Sequence, residues 1–343
     1  MRILSVGQMS GQSNTCRLRN EALKRIADTV DVINTSTIKP SLMNRIRNRL
    51  FVDGLPVSIP ERQDENNKIL NFISQNKYDI VWIDKGLTVR PSTLRLIKTV
   101  QPQAKLISYS PDNMAERHCQ SKQYLDGIDI YDVHITTKSY IIDDLYRLGC
   151  KKVVFTNQSY EDTFHYPREV TIDDMTRLGD DVGFIGAWEK DRMESILYLS
   201  RHGIHVRVFG FGGWERCKDD NPNLIIEDHG LFDEDYAKSF KCFKICLCFL
   251  RKKNKDVQTS RTMEIPACGG FMLGERTDEH LKLFEEGKEA EFFSNNEELL
   301  KKCLYYLAHD EERKIIARRG YERCLTSGYS NYETLKRIIE QIL

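Results

Sequence analysis

The residues best suited to chemistry lie between Asp256 and Glu264. Two carboxylates stand at the ends of that stretch, with Thr259, Ser260, Arg261 and Thr262 between them. Thr259 or Ser260 fits the N-cap of a helix, because a hydroxyl there accepts from a first-turn amide. Pro266 follows within a few residues, so the helix is short or kinked. Gly269 and Gly270 stop it, and 271–275 reads as a small buried strand. A capped helix start offers unpaired amides and a positive dipole end, a seat for phosphate. Arg261 adds a forked cation suited to a diphosphate. An anion seat flanked by two acids that can hold hydroxyls fits a nucleotide-sugar. Alone, the stretch also reads as a helix-to-strand connection with solvated acids.

The Asp256-to-Glu264 spacing resembles the E-x7-E element of GT-B glycosyltransferases, with Asp in place of the first Glu. The run SRTMEIPACGGFMLGE is similar to the C-terminal region of the CgeB-like (spore maturation protein type) group. LFEEGKEAEFF and LLKKCLYYLAHDEERKIIARRGYERC carry the resemblance through the C-terminal half, and the N-terminal half fits in outline. The resemblance implies an α/β chain of GT-B type, two Rossmann-like domains facing across a cleft. Residues 1–165 would form the acceptor domain, completed by a C-terminal helix at 331–343. Residues 166–330 would form the nucleotide-sugar donor domain. The implied activity is sugar transfer from a nucleoside-diphosphate donor to an acceptor hydroxyl, of hexosyltransferase, GT4-like type and with retention. Glycan, lipid-linked, protein and small-molecule acceptors all fit, in polysaccharide or glycoconjugate biosynthesis. Glu264 would accept hydrogen bonds from the ribose and Asp256 would address sugar hydroxyls. The Asp places its carboxylate one methylene short of the usual Glu. No cofactor is expected, since the nucleotide-sugar is a substrate. No metal is expected either, since no D-x-D stands at a strand end. Asp233-Glu-Asp235 lies at a helix start, where acids complement the dipole.

Composition sets the frame. At 343 residues the chain is long for one core and implies two domains. Lys+Arg 51 balances Asp+Glu 51, so no broad field attracts nucleic acid. Hydrophobic content of 40% with 30% charged residues is that of a soluble globular chain. No apolar run is long enough to span a bilayer, and the start reads as a strand with no signal-peptide pattern. Ten cysteines without framework spacing fit a reducing cytoplasm. Cys242, Cys246 and Cys248 sit in an apolar segment and read as buried thiols, with no zinc spacing.

The N-terminal half alternates strands and helices, which implies a mostly parallel sheet covered on both faces. A strand at 3–7 runs into a loop with Gly7, Ser10 and Gly11, then a helix at 16–27. This opens a Rossmann-like unit without the dinucleotide fingerprint. The loop reads either as an acceptor or phosphate contact, as in the GT-B resemblance, or as a tight strand-to-helix turn. Residues 39–51 place Leu42, Met43, Ile46 and Leu50 on one helix face, with Arg45, Arg47 and Arg49 toward the other. That pattern fits a membrane surface or anionic acceptor, and a peripheral site on the inner membrane face, but the commoner reading is a helix packed on the sheet with its charges in water. Asp112 follows a strand at 104–110, where open sheets hold ligands. It reads as a catalytic base or acceptor contact, or as a turn residue capping the next helix. The polar stretch 157–168 reads as the interdomain linker.

The second half restarts the pattern. A strand at 181–185 ends at Gly186, which would let backbone approach a pyrophosphate, and Lys190 and Arg192 open the next helix as its counter-charges. Gly210 ends a strand at 204–210 and, with the turn after it near the cleft, is expected among the donor-binding residues. In the resemblance, Leu231 or Phe232 lies against the nucleobase. The basic run 251–255 either lines the phosphate entrance or is solvated. Other classes remain open: a GT-B-fold epimerase or hydrolase of nucleotide-sugars, a non-catalytic nucleotide-sugar-binding protein, and a Rossmann oxidoreductase disfavoured by the missing fingerprint.

Overall fold

A computed structural model describes residues 1–36, 41–218, 220–227 and 229–343. Lys39 and Pro40, which open the basic stripe, lie outside the described residues. The chain divides into two units by its contacts. One holds Met1–Asn157 with Tyr332–Leu343, the other Gln158–Asn331. The division therefore falls earlier than the expected boundary at 165. The stretch 158–165 belongs to the second unit, where Gln158 N donates to Gln258 Oε1 at 2.8 Å and Asn331 Nδ2 donates to Glu161 Oε2 at 3.1 Å. It is packed, because its glutamate and histidine find buried partners there.

In the first unit, six apolar runs form β1 (Arg2–Gly7), β2 (Thr29–Asn34), β3 (Ile80–Asp84), β4 (Lys105–Ser110), β5 (Val133–Thr136) and β6 (Val153–Phe155). All pair parallel, in the order β2-β1-β3-β4-β5-β6. Their near-continuous apolar character follows from burial on both faces. Ile3, Trp82 and Ile107 pack on one face with Leu335, Ile338 and Ile339 of the C-terminal helix Asn331–Ile342. Leu4, Val81 and Leu106 pack on the other, with Ile69 and Ile97. Asn14 starts the helix Thr15–Ile26, its Oδ1 accepting from the Cys16 and Arg17 amides at 2.9 and 3.2 Å.

The second unit repeats the plan with β7 (Asp180–Ile185), β8 (Val206–Phe209), β9 (Leu224–Glu227), β10 (Phe243–Cys248), β11 (Met272–Glu275) and β12 (Glu291–Phe293). Its parallel order is β12-β11-β10-β7-β8-β9. β12, three residues after a charged turn, has too little pattern to be read from sequence. The helix Ser260–Ala267 carries Pro266 inside it and ends before Gly269, which takes φ +77°. This is the short helix and glycine stop expected from the sequence. No helix among the described residues is long and apolar enough to cross a membrane.

The basic stripe departs from expectation. Its helix, Leu42–Val52, buries none of its residues. The expected packing of Leu42, Met43 and Ile46 on the sheet is wrong: all three are exposed, and Leu50 alone of that face is half-buried, with Asn44, Asn48 and Phe51 of the opposite side.

Candidate functional site

A parallel sheet leaves a crevice at the carboxyl ends of its strands where the strand order reverses. In the second unit that point lies between β7 and β10, which pair through Ile245 and Val182. β7 ends at Ile185, so Gly186 is the first residue beyond it. The helix Ser260–Ala267 follows β10 after a loop. Sheet topology thus brings the strand-glycine turn and the Arg261 segment to one place.

Phe184 is the floor of this place, buried under two guanidiniums. Arg192 Cζ lies 5.6 Å and Arg261 Cζ 6.0 Å from its ring centroid. Arg261 Nη2 reaches within 3.2 Å of where a Cβ on Gly186 would stand. Gly186 therefore leaves room for the guanidinium and for backbone approach. Arg192 is only 3% exposed, and its Nη1 donates to Ala187 O at 2.9 Å. Its Nε and Nη2, and Nε of Arg261, are buried without a hydrogen-bond partner among the described residues. Buried charged donors are normally satisfied. Single Nε atoms of Arg168, Arg207 and Arg313 are also orphaned, but among the described residues only here do two such guanidiniums share one aromatic ring.

The nearby carboxylates are already occupied. Glu189 accepts from Arg251 Nε at 3.2 Å and from the Lys252 amide at 3.1 Å. Glu275 accepts from the Leu250 amide at 2.8 Å and pairs with Lys252 Nζ at 2.9 Å. Burial pulls the Arg192 guanidinium down to about 10; Glu189 opposes this, and Arg261 and Arg251 add to it. The site is a desolvated pair of guanidiniums, an arrangement whose chemistry suits an anion.

The helix start beside it is consolidated by Thr262. Its Oγ1 accepts from the Thr259 amide at 3.0 Å and meets His280 Nε2 at 2.9 Å. His280 Nδ1 contacts Glu275 O at 2.7 Å, so that nitrogen carries the proton and the Thr262 hydroxyl donates to Nε2. The buried Thr262 side chain is therefore spent on helix structure. Thr259 stands at the N-cap, and Ser260 and Arg261 fill the first turn, half-buried.

Glu264 lies further along the same helix, its side chain 4% exposed. Tyr236 Oη donates to Glu264 Oε2 at 2.5 Å. His165 Nδ1 accepts from the Glu161 amide at 3.0 Å, which puts its proton on Nε2, 3.7 Å from Glu264 Oε1. Burial lowers the pKa of His165, against the pull of Glu264, and raises that of Tyr236. The carboxylate is thus clamped on one oxygen and approached on the other.

The remaining expected residues have other partners. Lys190 is 73% exposed and faces Glu194 at 3.6 Å, so it does not join the guanidiniums. Gly210 serves the sheet: a Cβ there would run into Gly186 O and Trp214, whose Nε1 donates to Gly186 O at 2.9 Å. Leu231 is buried, while Phe232 is exposed and stacked on Phe211, ring centroids 5.9 Å apart. Asp256 follows Lys255, which takes φ +52°, and Asp256 Oδ1 accepts from Asn254 Nδ2 at 2.7 Å. Cys246 and Cys248 are buried thiols whose pKa values burial raises.

The first unit has its own reversal point, between β1 and β3. A cavity of about 200 Å³ lies there, lined by Gln8, Asn14, Cys16, Arg62 and Lys85 among others. Arg19 and Asp84 form a buried bidentate pair in its wall, Nε to Oδ2 at 3.0 Å and Nη2 to Oδ1 at 3.0 Å. Gly7 leaves no room for a Cβ against Cys16 and Asp84. Ser10 is exposed, its amide donating to Ser36 Oγ at 3.1 Å, and Gly11 takes φ +86° to turn the chain. Asp112 pairs with Lys85 at 2.6 Å, which ties it to the cavity wall. Sequence reading missed Arg19, Asp84, His165, Tyr236 and Phe184. For Asp84 and Phe184 the available signal was an acid or aromatic at the carboxyl end of a central strand; the other three had none.

Residues 190–340 match the family model described as glycosyl transferase-like. No curated protein matches the chain. Among solved structures, the chain is similar to Anabaena HepE in complex with UDP and glucose, at 12% identity and TM-score 0.63, covering 100% of this chain and 99% of that one. It is also similar to sucrose-phosphate synthase from Thermosynechococcus elongatus, at 12% identity and TM-score 0.67, with 100% and 98% covered. A putative UDP-N-acetylglucosamine 2-epimerase from Listeria monocytogenes matches at 12% identity and TM-score 0.58, with 99% and 95% covered. These likenesses establish the fold as GT-B.

Proposed function

We propose that this chain is a glycosyltransferase that moves a sugar from a nucleoside-diphosphate donor to an acceptor hydroxyl. The observation that carries the reading is the pair of guanidiniums over Phe184, with buried nitrogen atoms awaiting an anion. The glycosyl transferase-like match over 190–340 includes both arginines and supports the same reading. When the bond from the anomeric carbon to the phosphate oxygen breaks, negative charge gathers on the departing diphosphate. Arg192, Arg261 and the first-turn amides of Ser260–Ala267 are fixed in place before that charge develops, which lowers the barrier. The charge is met by protein cations, so the reading is metal-independent and needs no cofactor. The acceptor oxygen forms the new bond to the anomeric carbon, and its proton passes to the departing diphosphate oxygen.

Glu264, held by Tyr236, takes the ribose hydroxyls in this proposal. Asp256 addresses the donor sugar, and Asp112 an acceptor hydroxyl in the first unit. The E-x7-E parallel favours retention and a GT4-like, CgeB-like subtype. UDP is the first nucleotide to try, because HepE is solved with UDP and with UDP-glucose.

Calorimetry with UDP, GDP, dTDP and CDP, each with and without Mg²⁺, tests the proposal. One nucleotide should bind without the metal, and Arg261→Ala should weaken it at least tenfold, about the value of one charge-assisted hydrogen bond. Donor turnover should then require an acceptor. Turnover without one would replace transfer with epimerisation or hydrolysis, and binding of none of the four would remove the donor site.

A further inference from the structure

The helix Leu42–Val52 is amphipathic in the wrong direction for a soluble surface. At 100° per residue, Leu42, Met43, Ile46 and Leu50 share one arc of the helix. A surface helix normally turns such an arc to the core. Here Leu42 is 75%, Met43 59% and Ile46 48% exposed. Leu50 on the same arc is half-buried, as are Asn44, Asn48 and Phe51 on the opposite side. The helix is anchored at its end, where Gly54 lies against Arg117 and Val57 O accepts from the Lys122 amide at 3.1 Å. Val52, on a separate side of the helix, and Leu55 beyond its end are also exposed.

Charge identifies what covers this face. Arg45 and Arg49 border the apolar arc on one side and Arg47 on the other, all exposed. The helix holds no acid; Asp53 just beyond it pairs with Arg49 at 3.1 Å. An apolar stripe edged by arginines matches an interface with hydrocarbon below and anionic headgroups at its rim, the long side chains reaching up to phosphates. A two-fold copy of the chain would set these arginines against their own counterparts, which like charge opposes.

We infer that the Leu42–Val52 helix docks the first unit on an anionic lipid surface, with Leu42, Met43 and Ile46 inserted and Arg45, Arg47 and Arg49 at the headgroups. Co-sedimentation of the full chain with vesicles tests this. It should partition onto phosphatidylcholine vesicles containing about a third phosphatidylserine, far less onto phosphatidylcholine alone, and less as salt rises from roughly 0.1 to 0.5 M. Arg45→Ser with Arg47→Ser should weaken partition about 25-fold, roughly fivefold for each cation. Leu42→Ser with Ile46→Ser should weaken it by about tenfold or more. Both variants should melt as wild type, because the replaced side chains are exposed. Absence of partition, equal partition onto neutral vesicles, or full partition by the serine variants would each overturn the inference. So would a wild-type oligomer that Leu42→Ser with Ile46→Ser converts to monomer, which would make the occupant a second copy.

Discussion

Replacing Arg192 by methionine separates what burying this guanidinium costs the fold from what it would contribute to binding the proposed anion. Burial holds the Arg192 guanidinium at about 10, roughly 2.5 pH units below its usual value. At neutral pH it is charged in both the folded and unfolded states, so the whole penalty applies, about 3 kcal/mol at 1.36 kcal/mol per pH unit. Methionine fills similar volume without a charge and removes that penalty. It also removes the bond to Ala187 O and the placement over Phe184, about 1 kcal/mol each. The net gain is about 1 kcal/mol, which raises the Tm of a unit this size by about 2–4 °C. Binding moves the other way. Two orphaned donors on Arg192 would each give a ligand phosphate about 1.5 kcal/mol, so the variant should bind roughly a hundredfold more weakly. UDP at about 100 times the wild-type Kd stabilises wild type by about 2.7 kcal/mol, and the variant by only about 0.4 kcal/mol. Thermal melting with and without UDP reads both effects together. A variant that melts below wild type and keeps the full ligand-induced shift would show that Arg192 is an ordinary structural residue.

Two further outcomes follow from the same geometry. Lys190→Ala should leave UDP affinity within about twofold of wild type by calorimetry, because an exposed pair with Glu194 contributes little; a loss matching Arg261→Ala would put Lys190 back in the pocket. His134 and His280 are each held near 4, chiefly by burial, one in each unit. Both are neutral in the native state and contribute their stability fully above pH 6.5. As pH falls toward 4 the unfolded chain takes up protons first, and each unit loses up to about 3 kcal/mol. His134→Gln keeps a donor for Ile128 O and should flatten the acid dependence in the first unit alone, followed by amide hydrogen exchange. An unchanged slope there would refute the assignment to His134.

Much of the fold was legible because strand and helix periods are local properties. The strand expected at 3–7 and the helix expected at 16–27 form as Arg2–Gly7 and Thr15–Ile26. The anion seat was legible in part. Arg261 and Gly186 were named because a glycine after a strand and a cation in a first helical turn are local signals. The clamp on Glu264 was not legible, since His165 and Tyr236 are distant in sequence and meet only when 158–168 packs into the second unit.

The sequence by itself determined the two alternating α/β halves, the capped helix at Thr259, its glycine stop, and the spacing of Asp256 and Glu264. These follow from dihedral preferences and hydrophobic period, which act over a few residues. Tertiary structure alone decided which charges face inward. Lys190 and Arg192 are two positions apart, yet one points to solvent and the other lies buried over Phe184. Successive side chains on a helix diverge by about 100°, so rotation of the helix against the sheet chooses between them. The same freedom turned the leucine side of Leu42–Val52 outward, because periodicity gives the spacing of an apolar face and only packing gives its direction.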